Sequence, residues 1–288
     1  SGIMIAFHKV LSPIFGFDSG VTWSLSIMGL VILIRTILIP LFVKQIKSQR
    51  AMTALQPQMK AIQAKYKDDR QKQSEEMMKL YKEHKTNPLA SCFPILAQAP
   101  IFFALFTVLN GIGKNPPVKH GVLTQEDVAS AAQAKFFGAP ISDTFLGTDI
   151  TTVKLVTILL IALMSLTTFT TQRQLMTKGM PKMDASNNMM LQQQKIMLYA
   201  FPVIFAISGV NFPIGVLIYW STTNIWTWGQ QFYVIKRNPT PGSPAYEELQ
   251  RKRAKSGGVV EETNENSEGT TVEEKGQRQQ PKKKKKKK

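Results

Sequence analysis

The chain has 288 residues, with 36 Lys+Arg against 19 Asp+Glu, three His, one Cys and 43% hydrophobic residues. Cys92 alone excludes an intrachain disulfide framework and a cysteine zinc cluster, and the scattered His8, His84 and His120 leave little for a metal site or an acid–base relay. A net charge of +17 points to polyanions, either nucleic acid or an anionic membrane surface. Long charge-free apolar runs between very polar connectors exclude an ordinary soluble globule.

A transmembrane helix needs about 20 mostly apolar residues, and five stretches meet that need. Residues 1–20 come first, with Ile5, Phe7, Val10, Leu11, Ile14 and Phe17 around His8 and Lys9. They are too short to span and read as an amphipathic segment along the outer interface. The opening Ser1-Gly2 leaves room for a natural signal or anchor upstream. Residues 21–43 form the first span, with one charge, Arg35. Residues 44–87 follow, where Leu55, Met59, Ile62 and Tyr66, then Met77, Leu80 and His84, fall at helical spacing around a polar break. That pattern predicts an antiparallel helical hairpin, and mutual shielding of its two helices would explain the stripes equally well.

The second span is 88–113, which Pro88, Pro94 and Pro100 are expected to bend. The loop 114–150, with Pro116-Pro117, Gly138 and Pro140, reads as irregular or short helix. Residues 151–172 form the third span, with Lys154 placed to snorkel. A connector, 173–195, leads to one long apolar tract, divided at Gly209, Asn211 and Pro213 into spans at 196–212 and 213–235. Trp226 and Trp228 fit an interfacial belt. Residues 236–288 read as a disordered basic tail. The predicted fold is an all-α polytopic membrane protein with a five-helix core, a helical hairpin and that tail.

Lys/Arg number eleven in 44–87, three in 110–150, four in 173–195 and fifteen from Lys236 onward. The positive-inside rule puts the hairpin, the 173–195 loop and the tail in the cytoplasm, hence N-out and C-in. Ten of the thirteen Met fall at 52–78 or 176–197. Met59, Met77 and Met78 could therefore recruit partners of varied sequence, or merely fill gaps in the hairpin.

Arg35 lies nine residues before Lys44, about 13 Å along a helix. A mid-span Arg costs roughly 2.5–3.5 kcal/mol on insertion scales, yet none of the five spans contains Asp or Glu. What remains is a hydrated cavity with neutral polar neighbours, leaving the guanidinium available to a visiting anion. The candidate neighbours are Thr36, Gln98, Thr167, Thr168, Gln172, Asn224 and Gln230, with Trp220 one turn from Asn224. Each singly is also explained as interhelical glue.

Ile34-Arg35-Thr36, the basic hairpin, Asn87-Pro88-Leu89-Ala90-Ser91-Cys92-Phe93-Pro94 with the following Ile95 to Phe102, and Phe212-Pro213-Ile214-Gly215 running on to Tyr219-Trp220 closely resemble the YidC/Oxa1/Alb3 membrane protein insertases. The likeness covers about residues 20–237 and is strongest to actinobacterial members lacking a large periplasmic domain. The resemblance implies a groove open to cytoplasm and lipid, with Arg35 as its arginine, Gln98 as a polar residue of the second core span and Trp220 as a substrate-contacting aromatic. It implies a bacterial plasma-membrane location and nascent membrane proteins as partners, with the ribosome reached through the tail and a Sec-type translocon as a further partner. Two features depart from it. No lipoprotein-type cysteine stands near the start, and Val31 occupies a position where some relatives carry a hydroxyl.

No Walker loop, Ser-His-Asp set or metal-ligand cluster appears, so the reading is of an insertase or chaperone without chemical catalysis, cofactor or small-molecule substrate. A small-molecule or ion transporter would predict paired intramembrane charges or an internal repeat. A bare ribosome anchor would leave Arg35 unexplained. The terminal Lys282, Lys283, Lys284, Lys285, Lys286, Lys287 and Lys288 suit ribosomal RNA or anionic lipid alike.

Overall fold

An apolar run can satisfy its backbone without water only as a helix or a closed barrel, and the computed structural model is mostly helical. It describes residues 1–84, 86, 93–114, 116–180 and 188–255, and among these are eleven helices and a two-stranded ribbon. Helix α1 (Gly2–Phe15) lies against α2 (Gly20–Ile37), burying Met4, Ile5 and His8 while Val10 and Ile14 stay exposed. Ser19 caps α2 by accepting from the Val21 N–H at 3.2 Å.

The stretch 21–43, expected as one span, is two helices. Pro40 has no N–H to give to the i−4 carbonyl, so the chain turns at Leu38 and restarts as α3 (Ile39–Ala54). Next come α4 (Gln56–Lys65) and α5 (Arg70–Glu83), which pack as a hairpin. Asp69 starts α5 by accepting from the Lys72 N–H at 2.9 Å, and the Tyr81 hydroxyl meets the Met59 sulfur at 3.8 Å. Met77 is half-buried and Met78 exposed.

Helix α6 (Phe93–Ile112) takes Pro94 in its first turn, where proline is tolerated, and Pro100 in its interior; Pro88 lies outside the described residues. The following loop is more ordered than its composition suggests. It holds α7 (Gln125–Gln133), started by a Thr124–Asp127 capping box, and the antiparallel pair β1 (Lys135–Phe136) and β2 (Ala139–Pro140). Phe137 (φ 49°) and Gly138 (φ 82°) form the turn between those strands.

Then come α8 (Thr151–Gln174), running into a π-helical turn Leu175–Gly179, α9 (Asn188–Gly209) and α10 (Ile214–Arg237). Lys154, placed to snorkel, meets Asp149 at 3.1 Å. The tail expected to be disordered from residue 236 instead forms α11 (Pro244–Lys255), whose Lys252 and Glu248 pair one turn apart. The seven-lysine run lies outside the described residues. Two helical stretches, Gly20–Ile37 and Thr151–Gly179, are long and apolar enough to cross a membrane by length and composition.

Helix α10 packs against α8 and α2, and α8 against α9. The core gathers where the 114–150 loop meets the helix ends: Trp23, Ile27, Leu109, Val128, Ile141, Ile214 and Leu217 are all within 1% of full burial. Two close approaches hold that end shut. A Cβ on Gly20 would lie 1.9 Å from the Lys135 carbonyl oxygen, and one on Gly215 would lie 2.9 Å from a Leu109 methyl. The first N–H groups of α10, orphaned in any helix, donate to loop carbonyls: Ile214 to Asp143 at 3.0 Å and Gly215 to Ile141 at 2.8 Å.

Candidate functional site

At the other end the helices part. A cavity of about 440 Å³ opens between the end of α2, the start of α3, α6 and α10. It has room for on the order of ten waters. Arg35, Phe42, Gln45, Gln98, Phe102, Tyr219, Trp220, Thr223 and Thr227 line it. The turn at Leu38 makes this possible, because it swings Phe42 and Gln45 round to face the same space as Arg35.

Arg35 is 8% exposed, and its guanidinium carbon stands 5.1 Å from the centre of the Phe42 ring. Among the described residues no carboxylate comes within ion-pair distance of it, and its Nε has no hydrogen-bond partner. The Thr223 hydroxyl, on the same cavity, is also buried without a partner. Unpaired buried polar atoms are costly and uncommon. Both belong to residues that line one cavity, which marks it as a place where water or a visiting polar group can complete the polar side chains.

Across the cavity, the Gln98 amide donates to the Tyr219 hydroxyl and ties α6 to α10. One side is aromatic. The Trp220 ring stacks on Phe102 at 5.2 Å and meets Phe205 and Phe212 edge-on at 5.4 and 5.1 Å. These rings lie between the cavity and the sealed end, giving the cavity an apolar wall beside its one cation.

Arg35, Gln98 and Trp220 thus share the cavity, and the other five residues assigned to the groove do not line it. Thr36 is exposed and donates to its own helix at the Ile32 carbonyl, 2.7 Å away. The Asn224 amide donates to Thr168 at 3.4 Å, joining α10 to α8. Gln230 accepts from the Trp226 indole at 3.1 Å. Gln172 is half-buried on α8, away from the cavity. Sequence reasoning missed Tyr219, Thr223 and Thr227. Their i, i+4, i+8 spacing was the signal, since it puts all three on one stripe of α10.

The family described as 60Kd inner membrane protein matches residues 14–241. The membrane protein insertase YidC of Streptomyces avermitilis is 54% identical over 264 residues, covering 87% of this chain and 61% of that protein. The YidC of Tropheryma whipplei is 38% identical over 266 residues, covering 87% of this chain and 85% of its own length. Among solved structures, the crystal structure of an active YidC insertase with its first transmembrane domain resolved is similar at a TM-score of 0.50 and 25% identity. That match covers 81% of this chain and 45% of the YidC chain. The described fold, the arginine cavity and these matches together place the chain in the YidC/Oxa1 family of membrane protein insertases.

Proposed function

We propose that the chain inserts nascent membrane proteins into a bacterial plasma membrane without chemical catalysis. The observation that carries this reading is the buried Arg35, free of any carboxylate among the described residues, on a cavity that also holds an unpartnered hydroxyl. Five spans would be α2, α6, α8, α9 and α10. Each has 18 to 24 residues, or about 27–36 Å of helix. Among the described residues, α2 and α8 with its π-helical turn meet the test of length and apolarity together. Helix α10 carries Tyr219, Thr223, Thr227 and Gln230, and such polar residues suit a helix with one face on water. With N-out and C-in, the hairpin, the 173–195 loop and the tail lie in the cytoplasm.

In this mechanism, a polar or acidic tail of the substrate enters the wet cavity, which shortens the dry distance it must cross. Arg35 meets a tail carboxylate in a charge-assisted contact worth about 1.5–3 kcal/mol, enough to capture but not to trap. The substrate's apolar segment then passes sideways into lipid, driven by burial at about 25 cal/mol per Å². Met78, exposed on the hairpin, offers an adaptable first contact. The lysine run adds salt-sensitive attraction to a ribosome or an anionic leaflet, and a Sec-type translocon is a compatible partner.

The test is Arg35→Ala in proteoliposomes, scored by protease protection of short single-span substrates. Insertion of a substrate with an acidic tail should fall at least tenfold, while one with an uncharged tail inserts as before. Equal insertion of both would remove Arg35 from the mechanism.

A further inference from the structure

We infer that the foot of the α8–α10 pair, closed by α11, binds the phosphate headgroup of an anionic phospholipid from the surrounding leaflet. A separate cavity of about 200 Å³ lies there, between the π-helical turn after α8, the last turns of α10 and one face of α11. Lys178 comes from the π-turn, Lys236 from the end of α10 and Lys252 from α11, while Glu248 is the one carboxylate on the lining. Lys252 is already tied to Glu248 at 2.6 Å. Among the described residues, Lys178 and Lys236 have no ion-pair partner. Lys178 also lies within electrostatic reach of Glu248. Three elements therefore converge to set three ammonium groups against one carboxylate beside one small cavity, an excess of positive charge.

The rest of the lining decides which anion fits. Phe232, Ile235 and Leu249 form an apolar wall, and Phe232 is 50% exposed with Tyr233 beside it 64% exposed. That wall runs along the last turns of α10, on the flank that would face acyl chains. A diacyl phosphate satisfies both halves of the site, its head on the lysines and its chain on Phe232. An RNA strand needs an open basic track several phosphates long with stacking platforms, and a cavity the size of one headgroup provides neither. Pockets of basic side chains at the cytoplasmic ends of membrane helices have the chemistry for such lipids. The π-turn matters here because its wide coil brings Lys178 against α10, with buried Gly179 so close that an added Cβ would lie 3.2 Å from an Ile235 methyl.

The inference rests on the proposal that α8 and α10 span the membrane. The full-length protein in mild detergent, with phosphatidylglycerol or phosphatidylcholine added, would be read by native mass spectrometry for retained lipid. The parent should retain phosphatidylglycerol preferentially. The double variant Lys178→Gln/Lys236→Gln should lower that preference roughly tenfold or more, as expected for two lysines near a charged surface. The charge-preserving pair Lys178→Arg/Lys236→Arg should keep the preference, which controls for damage to the fold. No preference in the parent, an unchanged preference in the glutamine pair, or displacement of the lipid by a short RNA would each overturn the site. Lipid retention is scored without any insertion assay. Failed insertion with the lipid preference intact would refute the proposed function and leave this site standing.

Discussion

The two ends of the helix bundle are built on opposite terms. At the loop end, α1, α7, the β-ribbon and the first turn of α10 close over Trp23, Ile27, Val128 and Ile214, all at most 1% exposed. The Trp23 indole there donates to Ser130 at 3.1 Å, and Ser130 donates to the Phe17 carbonyl at 3.0 Å. The Ser24 and Thr157 hydroxyls are buried without partners among close-packed apolar side chains, and neither lines the Arg35 cavity. At the hairpin end the same helices diverge around Arg35 and leave its Nε and the Thr223 hydroxyl without partners. One end carries stability, and the other gives up packing for an open polar cavity. Departures from good packing are expected where function resides.

Substitutions should therefore sort by end. Trp23→Ala removes a buried indole whose ring is tilted against the His8 ring with centroids 4.0 Å apart, and deletions of that size cost about 3–5 kcal/mol. A large drop in thermal midpoint in detergent is expected. Arg35→Ala should barely move that midpoint. Removing a buried charge that has no countercharge is neutral or stabilising, and this gain offsets the lost Phe42 contact of about 0.5–2 kcal/mol. A midpoint loss for Arg35→Ala as large as that for Trp23→Ala would erase the distinction between the ends.

Legibility in the sequence followed the same division. Long apolar runs announced the helices, and helical spacing announced the hairpin, because both depend only on local periodicity. The break at Leu38 was written in Pro40 but hidden by the apolar residues on either side. Helix α11 was missed because Ala245, Leu249 and their polar neighbours carry too weak a stripe, and its place is set by contact with the π-turn. In the cavity, Arg35, Gln98 and Trp220 come together, while Thr36, one residue from Arg35, points elsewhere. A single step along a helix turns a side chain by about 100°. Periodicity tells which residues share a face but not which neighbouring helix that face meets. For this reason Asn224 went to Thr168 on α8 while Tyr219, Thr223 and Thr227 took the cavity.

The sealed end also contains a titratable group, which sharpens the comparison. His8 is fully buried, its Nε2 is 2.9 Å from the Phe17 carbonyl, and burial holds its pKa below the ordinary 6.5 despite that carbonyl, Asp127 and Asp18. The unfolded chain therefore takes up the proton first as pH falls. The stability associated with neutral His8 is complete above about pH 6.5 and is lost as pH drops below it. The thermal midpoint should fall by several degrees between pH 7.5 and pH 5, and His8→Gln should flatten that fall. Asp143, raised by burial, titrates in the opposite sense, so the difference between parent and variant isolates the histidine. Identical slopes for the two proteins would mean that His8 keeps its charge state throughout.

A small stabilising effect belongs to the rim of the sealed end. Phe137 sits at φ 49° in the turn between β1 and β2, followed by Gly138 at φ 82°. Two consecutive positive φ values are the pattern of a tight hairpin turn that favours Asn-Gly. A bulky residue there bears a strain of about 1–2 kcal/mol. The Phe137 ring is 81% exposed, with an edge contact to Phe136 at 4.6 Å, so its burial offers little in return. Phe137→Asn should therefore raise the thermal midpoint slightly, by about 1 kcal/mol of stability. The gain should come without change in insertion, because the turn lies at the end away from Arg35. A fall in midpoint would show that the exposed ring holds the loop end together through contacts that backbone strain does not explain.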